Sequence, residues 1–234
     1  MNLDQASPWY LLDLALTDYT KAQDIMNFMV NKIKQGLINR NLIVLTEHRP
    51  VFTLGRRGEM ANSLVSGKDI ENSSIPVIQT DRGGDITYHG PGQLIAYPLV
   101  NIKKQGISVV DFVSRLEEVM IRTSRHWGVA AGRSDINRGV FAGSLKLGSV
   151  GIAVKNGVTS HGIALNVNNS LDPFDWINPC GLKGVKMTSL KRQLSSGLPF
   201  EDVKASLLKY MKDIFGITVE RTDLGNLFKS RIKS

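Results

Sequence analysis

The segment Arg82-Gly83-Gly84-Asp85-Ile86-Thr87-Tyr88-His89-Gly90-Pro91-Gly92-Gln93 sets four glycines and a proline among charged, hydroxyl, imidazole and amide side chains. Two adjacent glycines, Gly83 and Gly84, let a backbone approach a ligand closely or turn through positive φ. Arg82, Thr87, His89 and Gln93 supply donors and acceptors, and apolar stretches lie on both sides. Glycine and proline by themselves favour a tight hairpin loop of no chemical consequence. The density of different polar groups in apolar surroundings points instead to a pocket wall. The spacing matches neither a P-loop nor Gly-x-Gly-x-x-Gly, so it carries no nucleotide signature.

Outward from this segment the chain reads as strands bounded by Gly, Pro or Asn, at 9–14, 42–47, 76–80 and 94–100, then 140–142, 149–154, 161–167 and 217–221. Three helices interleave. Ser108 with Asp111 forms a capping signal, and Val109, Phe112, Val113, Leu116 and Met120 follow at helical spacing until Gly128. Residues 18–35 place Ala22, Ile25, Met29 and Ile33 on one face, and residues 201–215 do the same with Val203, Leu207, Met211 and Ile214. These stripes are core. The order is not a regular βαβ alternation, so the predicted fold is α+β: a mixed, largely antiparallel sheet with packed helices. No linker divides residues 1–234, which read as one domain, with the last fifty or so residues forming a small appended lobe.

Lys146 stands in Leu145-Lys146-Leu147-Gly148-Ser149-Val150-Gly151, between apolar or small neighbours. Two readings stay open: a surface lysine on a strand whose alternate residues face the core, or a partly desolvated amine whose charged form is disfavoured. His161, in His161-Gly162-Ile163-Ala164-Leu165-Asn166, reads as structural when taken alone. Cys180 is the single cysteine and lies between Pro179 and Gly181, a context that places it on a turn. A lone cysteine is commonly a small buried hydrophobe. A turn thiol beside a flexible residue is also suited to attack, once a nearby cation favours its thiolate.

With 42% apolar and 21% charged residues, the 234-residue chain has an ordinary globular balance. No apolar run reaches the roughly 20 residues of a membrane span. The first residues do not resemble a signal peptide, and a single thiol fits a reducing compartment, so the expected location is cytoplasmic. The net charge is +8, and residues 183–234 hold eleven Lys/Arg against five Asp/Glu. Such an excess suits acidic partners, but the basic residues are dispersed, as on a solvated helix face. A non-catalytic nucleic-acid module has only this charge in its favour and leaves the cysteine, lysine and glycine segments unexplained.

Together these segments resemble the lipoyl(octanoyl) transferases of lipoate biosynthesis. Arg82 to Tyr97 matches that family's Arg-Gly-Gly, Thr, aromatic-His, Gln and Tyr pattern. The segments Glu47 to Arg57, His161 to Val167 and Asn178 to Gly181 resemble its other blocks, so the resemblance spans roughly residues 9 to 195. It implies the mixed sheet shared with biotin and lipoate ligases, a nucleophile at Cys180 and its tuning lysine at Lys146. Acyl-substrate contacts are implied for Arg82, Gly83, Gly84, Asp85, Ile86, Thr87, Tyr88 and His89, for Ser149, Val150 and Gly151, and for Gly162, Ile163 and Ala164. It further implies octanoyl transfer from acyl carrier protein to a lysine of lipoyl-domain proteins, such as 2-oxoacid dehydrogenase subunits and glycine cleavage H protein. Neither a cofactor nor a metal is implied, and neither nucleic acid nor membrane is an expected partner. The chain departs from the family at Leu147-Gly148-Ser149, where Ile-Ala-Ala is usual, which bears on chain-length preference. Two related readings are an ATP-dependent lipoate or biotin ligase on the same fold and an amidotransferase moving octanoyl between lipoyl domains.

Overall fold

The computed structural model describes residues 7–58, 74–135, 137–177 and 185–229. In chain order the elements are β1 (Trp9–Thr17), α1 (Tyr19–Lys34), β2 (Leu42–His48), β3 (Val51–Leu54), β4 (Val77–Gln79), β5 (Ile86–His89) and β6 (Gln93–Leu99). There follow α2 (Val109–His126), β7 (Val140–Ala142), β8 (Leu145–Lys155), β9 (Val158–Asn166) and a 3₁₀ turn (Asp172–Trp176). The chain continues through α3 (Leu190–Leu194), α4 (Phe200–Phe215), β10 (Val219–Arg221) and α5 (Leu224–Lys229). No described helix is long and apolar enough to cross a membrane.

Seven strands form one sheet in the order β10-β1-β2-β6-β9-β8-β7, and a smaller sheet has the order β4-β3-β5. In the large sheet β1 runs parallel to β10 and β2, and every other neighbouring pair is antiparallel. The period-2 pattern decides which helices cover which face. Ile43 and Leu45 of β2, with Leu94 and Ala96 of β6, join a core with Phe112, Leu116 and Met120 of α2 and Val203, Leu207 and Met211 of α4. Their alternates Leu42, Val44, Ile95 and Tyr97 meet Met26, Met29 and Ile33 of α1. The sheet is therefore covered on both faces, and its central strands read as nearly continuous apolar runs.

The helix signals act as their chemistry predicts. Ser108 Oγ accepts the Asp111 N–H at 3.0 Å, although the Asp111 carboxylate turns to Arg115 at 3.0 Å instead of completing a reciprocal box. Gly216, at φ +64°, ends α4 in the left-handed region. Two expectations change. Residues 190–221 do not form a separate lobe: Leu190, Val203, Leu207 and Met211 enter the main core, and β10 extends the main sheet beside β1. The stripe on α4 has no other apolar surface to bury against. The glycine-rich segment is also not all loop, because Ile86–His89 is β5, paired antiparallel with β3. Its glycines flank those four residues and do not interrupt them.

Gly162 marks the tightest crossing of the large sheet. A Cβ there would overlap the Ala96 carbonyl oxygen and sit 2.7 Å from Pro98 Cδ, forcing β9 away from β6. At Gly148 an added Cβ would meet the thioether of Met120 at 2.7 Å, a flexible group that can turn aside. Gly162→Ala is expected to cost about 1–3 kcal/mol, the range for overpacking, and Gly148→Ala distinctly less. Urea denaturation of the two variants gives the comparison, and equal losses would contradict this account of the crossing.

Candidate active site

A cavity opens where α1, the 82–84 turn, β5, β6, β8 and β9 meet. Its lining comprises Arg82, Gly83, Gly84, Thr87 and His89, then Ser149, Val150 and Gly151, then Gly162, Ile163 and Ala164, with Tyr19, Ile95, Tyr97 and His161. Its interior leaves about 50 Å³ for the centres of water-sized molecules, a few times the roughly 10–15 Å³ that one water needs. Ile95, Val150, Ile163 and Ala164 give this small space an apolar side.

Three residues of the glycine-rich segment are placed elsewhere. Ile86 and Tyr88 point into the small core with Phe52, Leu54 and Phe174, as alternation along β5 requires, since Thr87 and His89 face the cavity. Asp85 serves the turn: its Oδ1 accepts the Ile86 N–H at 2.7 Å and its backbone carbonyl accepts from Gly55 at 3.2 Å.

Arg82 holds this wall together. Its Nη2 donates to the Thr53 carbonyl at 2.6 Å, to Thr53 Oγ1 at 2.9 Å and to the Asp85 carbonyl at 2.7 Å. The guanidinium thereby ties the turn to β3, while the Gly83 N–H donates to Ile152 O at 2.8 Å and ties the same turn to β8. Gly83 and Gly151 pack backbone to backbone here, with the Gly83 carbonyl oxygen 3.1 Å from where a Cβ of residue 151 would lie.

The far wall is aromatic and polar, and the imidazole of His89, with His48 packed against it, is neutral. Burial pushes His89 down to about 3 and His48 down to about 4 from an ordinary 6.5. His48 Nδ1 lies 3.1 Å from the Thr17 carbonyl and Nε2 lies 2.8 Å from Tyr97 Oη. A neutral ring satisfies both by donating from Nδ1 and accepting the Tyr97 hydroxyl. His89 Nδ1 donates to Gln93 Oε1 at 2.7 Å, Gln93 Nε2 donates to Asn166 Oδ1 at 2.8 Å, and Asn166 Nδ2 donates to the Thr188 carbonyl at 2.9 Å. The ring and amide orientations follow from this continuous pattern. Tyr19 stacks on His89 with centroids 5.9 Å apart, and burial pushes its phenol up to about 12.

His161 takes φ +57°, a left-handed conformation rare outside glycine and costing about 1–3 kcal/mol. It is held by Asp81 Oδ1 at 2.7 Å from Nε2, with Lys155 Nζ 2.6 Å from the other carboxylate oxygen. The hydrogen bond from His161, reinforced by Lys155, holds the Asp81 carboxyl well below the usual carboxylate range.

Lys146, the second residue of β8, is only 1% exposed, so it is not a surface lysine. Its Nζ lies 5.7 Å from the centre of the Phe141 ring. Gly139, at φ +120°, leaves the space its chain needs: a Cβ at 139 would sit 3.1 Å from Lys146 Cε and 2.5 Å from Gly148 O. Buried Glu117 of α2 fixes that turn by accepting the Gly139 N–H at 2.9 Å. Lys146 N–H donates to Lys186 O at 2.9 Å, and Thr188 N–H donates to Lys146 O at 2.8 Å. Cys180 lies outside the described residues. The described chain before it stops at Ile177, buried in the small core with Phe52 and Tyr88, and after it Lys186 and Thr188 bond to the Lys146 backbone.

Sequence reading missed Tyr19, Ile95, Tyr97 and His161 as parts of this site. Tyr97 belonged to a quoted pattern, and Tyr19 heads the α1 stripe through Ala22 and Met26, so both carried a signal. Nothing local in the sequence aims Ile95 at the cavity.

The fold is shared with solved lipoate-protein and biotin protein ligases. Lipoate-protein ligase A bound with ATP superposes with a TM-score of 0.74 at 14% identity, covering 93% of this chain and 89% of that one. The Aquifex aeolicus biotin protein ligase with biotin and ATP gives 0.54 at 13% identity, covering 88% and 70%. The chain belongs to the lipoyl protein ligase A/B catalytic domain family, whose profile matches residues 18–212. It is 42% identical to a Desulfotalea psychrophila protein named octanoyltransferase, covering 88% of this chain and 94% of that one. A Syntrophobacter fumaroxidans protein of the same name is 39% identical over 88% and 90% of the two chains.

Because His48 and His89 stay neutral well below their ordinary 6.5, the unfolded chain binds more protons than the folded one across pH of about 4 to 6.5. The stability this pair contributes is complete above that window and is lost as pH falls through it. Each imidazole adds a slope of up to about 1.4 kcal/mol per pH unit. Urea denaturation across that range should show the decline, and His48→Gln should make it shallower. An unchanged slope in the variant would mean that His48 titrates normally.

Proposed function

We propose that this protein is an acyltransferase that moves an octanoyl group from the phosphopantetheine thioester of an acyl carrier protein to a lysine of a lipoyl-domain protein. This is the first step of making lipoate in place on its carrier. The burial of Lys146, on a strand whose neighbour leads directly from the Cys180 segment, supports the reading most. The relatives named octanoyltransferase and the small cavity support it further.

In the proposed chemistry the Cys180 thiolate attacks the thioester carbonyl, with the ammonium of Lys146 as the cation beside it. The carbon–sulfur bond to the pantetheine arm breaks, and the departing sulfur takes a proton from Lys146. The acceptor lysine amine then attacks the new thioester on Cys180. It forms the amide, returns a proton to Lys146 and releases the Cys180 thiolate. Thioester to amide is downhill, so the cycle needs neither ATP nor a metal. The acyl chain lies along Ile95, Val150, Ile163 and Ala164, where about 0.8 kcal/mol per CH₂ gives roughly 5 kcal/mol for six methylenes. A single thiol of this kind works in a reducing compartment, which makes the cytosol its proposed location.

Incubation with octanoyl-carrier protein, without ATP, should give an octanoyl adduct that hydroxylamine removes, read by intact mass. Cys180→Ser should abolish it, and Lys146→Ala should lower kcat/KM for transfer by at least about 100-fold. An absolute requirement for ATP, or undiminished transfer by Cys180→Ser, would overturn the reading in favour of a ligase.

A further inference from the structure

A second groove shares Gly83, Gly84, Val150 and Gly151 with the acyl cavity and runs from them to the protein surface. It leaves about 330 Å³ for water-sized centres against about 50 Å³ in the cavity, so it takes a bulkier occupant. Its outer part is formed by Arg57, Arg138, Val109, Val110 and Asn137. Three properties of this outer part bear on what fits.

The two charged residues of the lining are both arginines. Arg57 is exposed. Arg138 has its side chain 57% exposed, and its contact to Glu117 is long, at 3.5 Å. That carboxylate is already engaged by the Gly139 N–H at 2.9 Å and by Arg133 Nε at 3.4 Å. Beside the arginines, Val109 and Val110 at the start of α2 are 45% and 63% exposed, two of the few large apolar side chains left open to solvent. Finally, Asn137 Nδ2 is buried with no hydrogen-bond partner among the described residues. Such a donor stays unsatisfied until an acceptor reaches it.

We propose that this groove is the docking site of the acyl donor: an acidic protein whose phosphopantetheine arm lies along it with the thioester end at the shared glycines. This rests on the transfer reading above. The phosphodiester and the acidic surface around it answer Arg57 and Arg138, the arm's amide carbonyls offer acceptors to Asn137, and Val109 and Val110 take an apolar patch of the partner. An acceptor protein presenting a lysine ammonium is the poorer occupant, because two guanidiniums repel it.

The test measures transfer to a lipoyl domain from two donors, octanoyl-carrier protein and octanoyl-N-acetylcysteamine, which lacks both the phosphate and the protein. Arg57→Glu and Val110→Asp lie at exposed positions, and thermal denaturation verifies that each folds. Each is expected to raise KM for the carrier donor at least tenfold, with kcat and the use of the small thioester within about twofold of wild type. An unchanged carrier KM overturns the proposal. So does an equal loss with both donors, or a change confined to KM for the lipoyl domain. Those results leave the transfer reading standing, because wild type still turns over. Wild-type protein that transfers octanoyl from neither donor removes the transfer reading and the groove assignment together.

Discussion

The guanidinium of Arg82 is the fastener on which the cavity depends. It carries three hydrogen bonds from Nη2 alone, to two main-chain carbonyls and a threonine hydroxyl on the small sheet. One residue later the backbone bonds to β8 of the large sheet. A lysine has neither the planar fork nor the number of donors to hold carbonyls from two segments at once. Without that clamp the glycine turn has no reason to stay against Gly151, and the wall between cavity and groove is lost. Gly83 matters because its backbone meets that of β8 closely, and Gly84 because it takes a positive φ beside the Arg82 guanidinium.

Polar groups around the cavity fall into two electrostatic kinds. On the α1 side the imidazoles of His48 and His89 are buried and neutral, each satisfied by a carbonyl, amide or hydroxyl. Their role is geometric, since neutral rings can be buried without the cost of unpaired charge. On the β8 side stands Lys146, nearly sealed from solvent and outside the residues that line the cavity. The two sides are not independent. The hydrogen-bond chain from His89 through Gln93 and Asn166 ends at the Thr188 carbonyl, and the Thr188 N–H holds the Lys146 carbonyl. The cavity wall and the lysine are therefore parts of one rigid arrangement, which favours the fixed geometry that acyl transfer needs.

The departure from the family at residue 148 has a packing explanation. Glycine there leaves room for the Met120 thioether, and Met120 is fully buried between α2 and the sheet. An alanine at 148 and a methionine at 120 compete for the same space. The change is thus balanced within the core under β8, on the helix side and not along the cavity lining, where Ser149, Val150 and Gly151 stand.

Local chemistry alone determined a good deal of this protein. Apolar periodicities of about 3.6 and 2 marked α1, α2, α4 and most strands, because burying a helix stripe or a strand face leaves a repeating trace in the chain. The density of polar and small residues from Arg82 to Gln93 likewise marked a cavity wall. Sequence could not show that Ile86–His89 is a strand with alternate residues turned away, since pairing with Val51–Leu54 is a long-range choice. Nor could it decide between an exposed and a buried Lys146. That outcome belongs to Gly139, Phe141, Glu117 and the returning segment at 186–188, groups brought together only when α2, β7 and β8 pack. Burial and neighbourhood are properties of the folded whole, and both the lysine's environment and the groove beside the cavity depend on them.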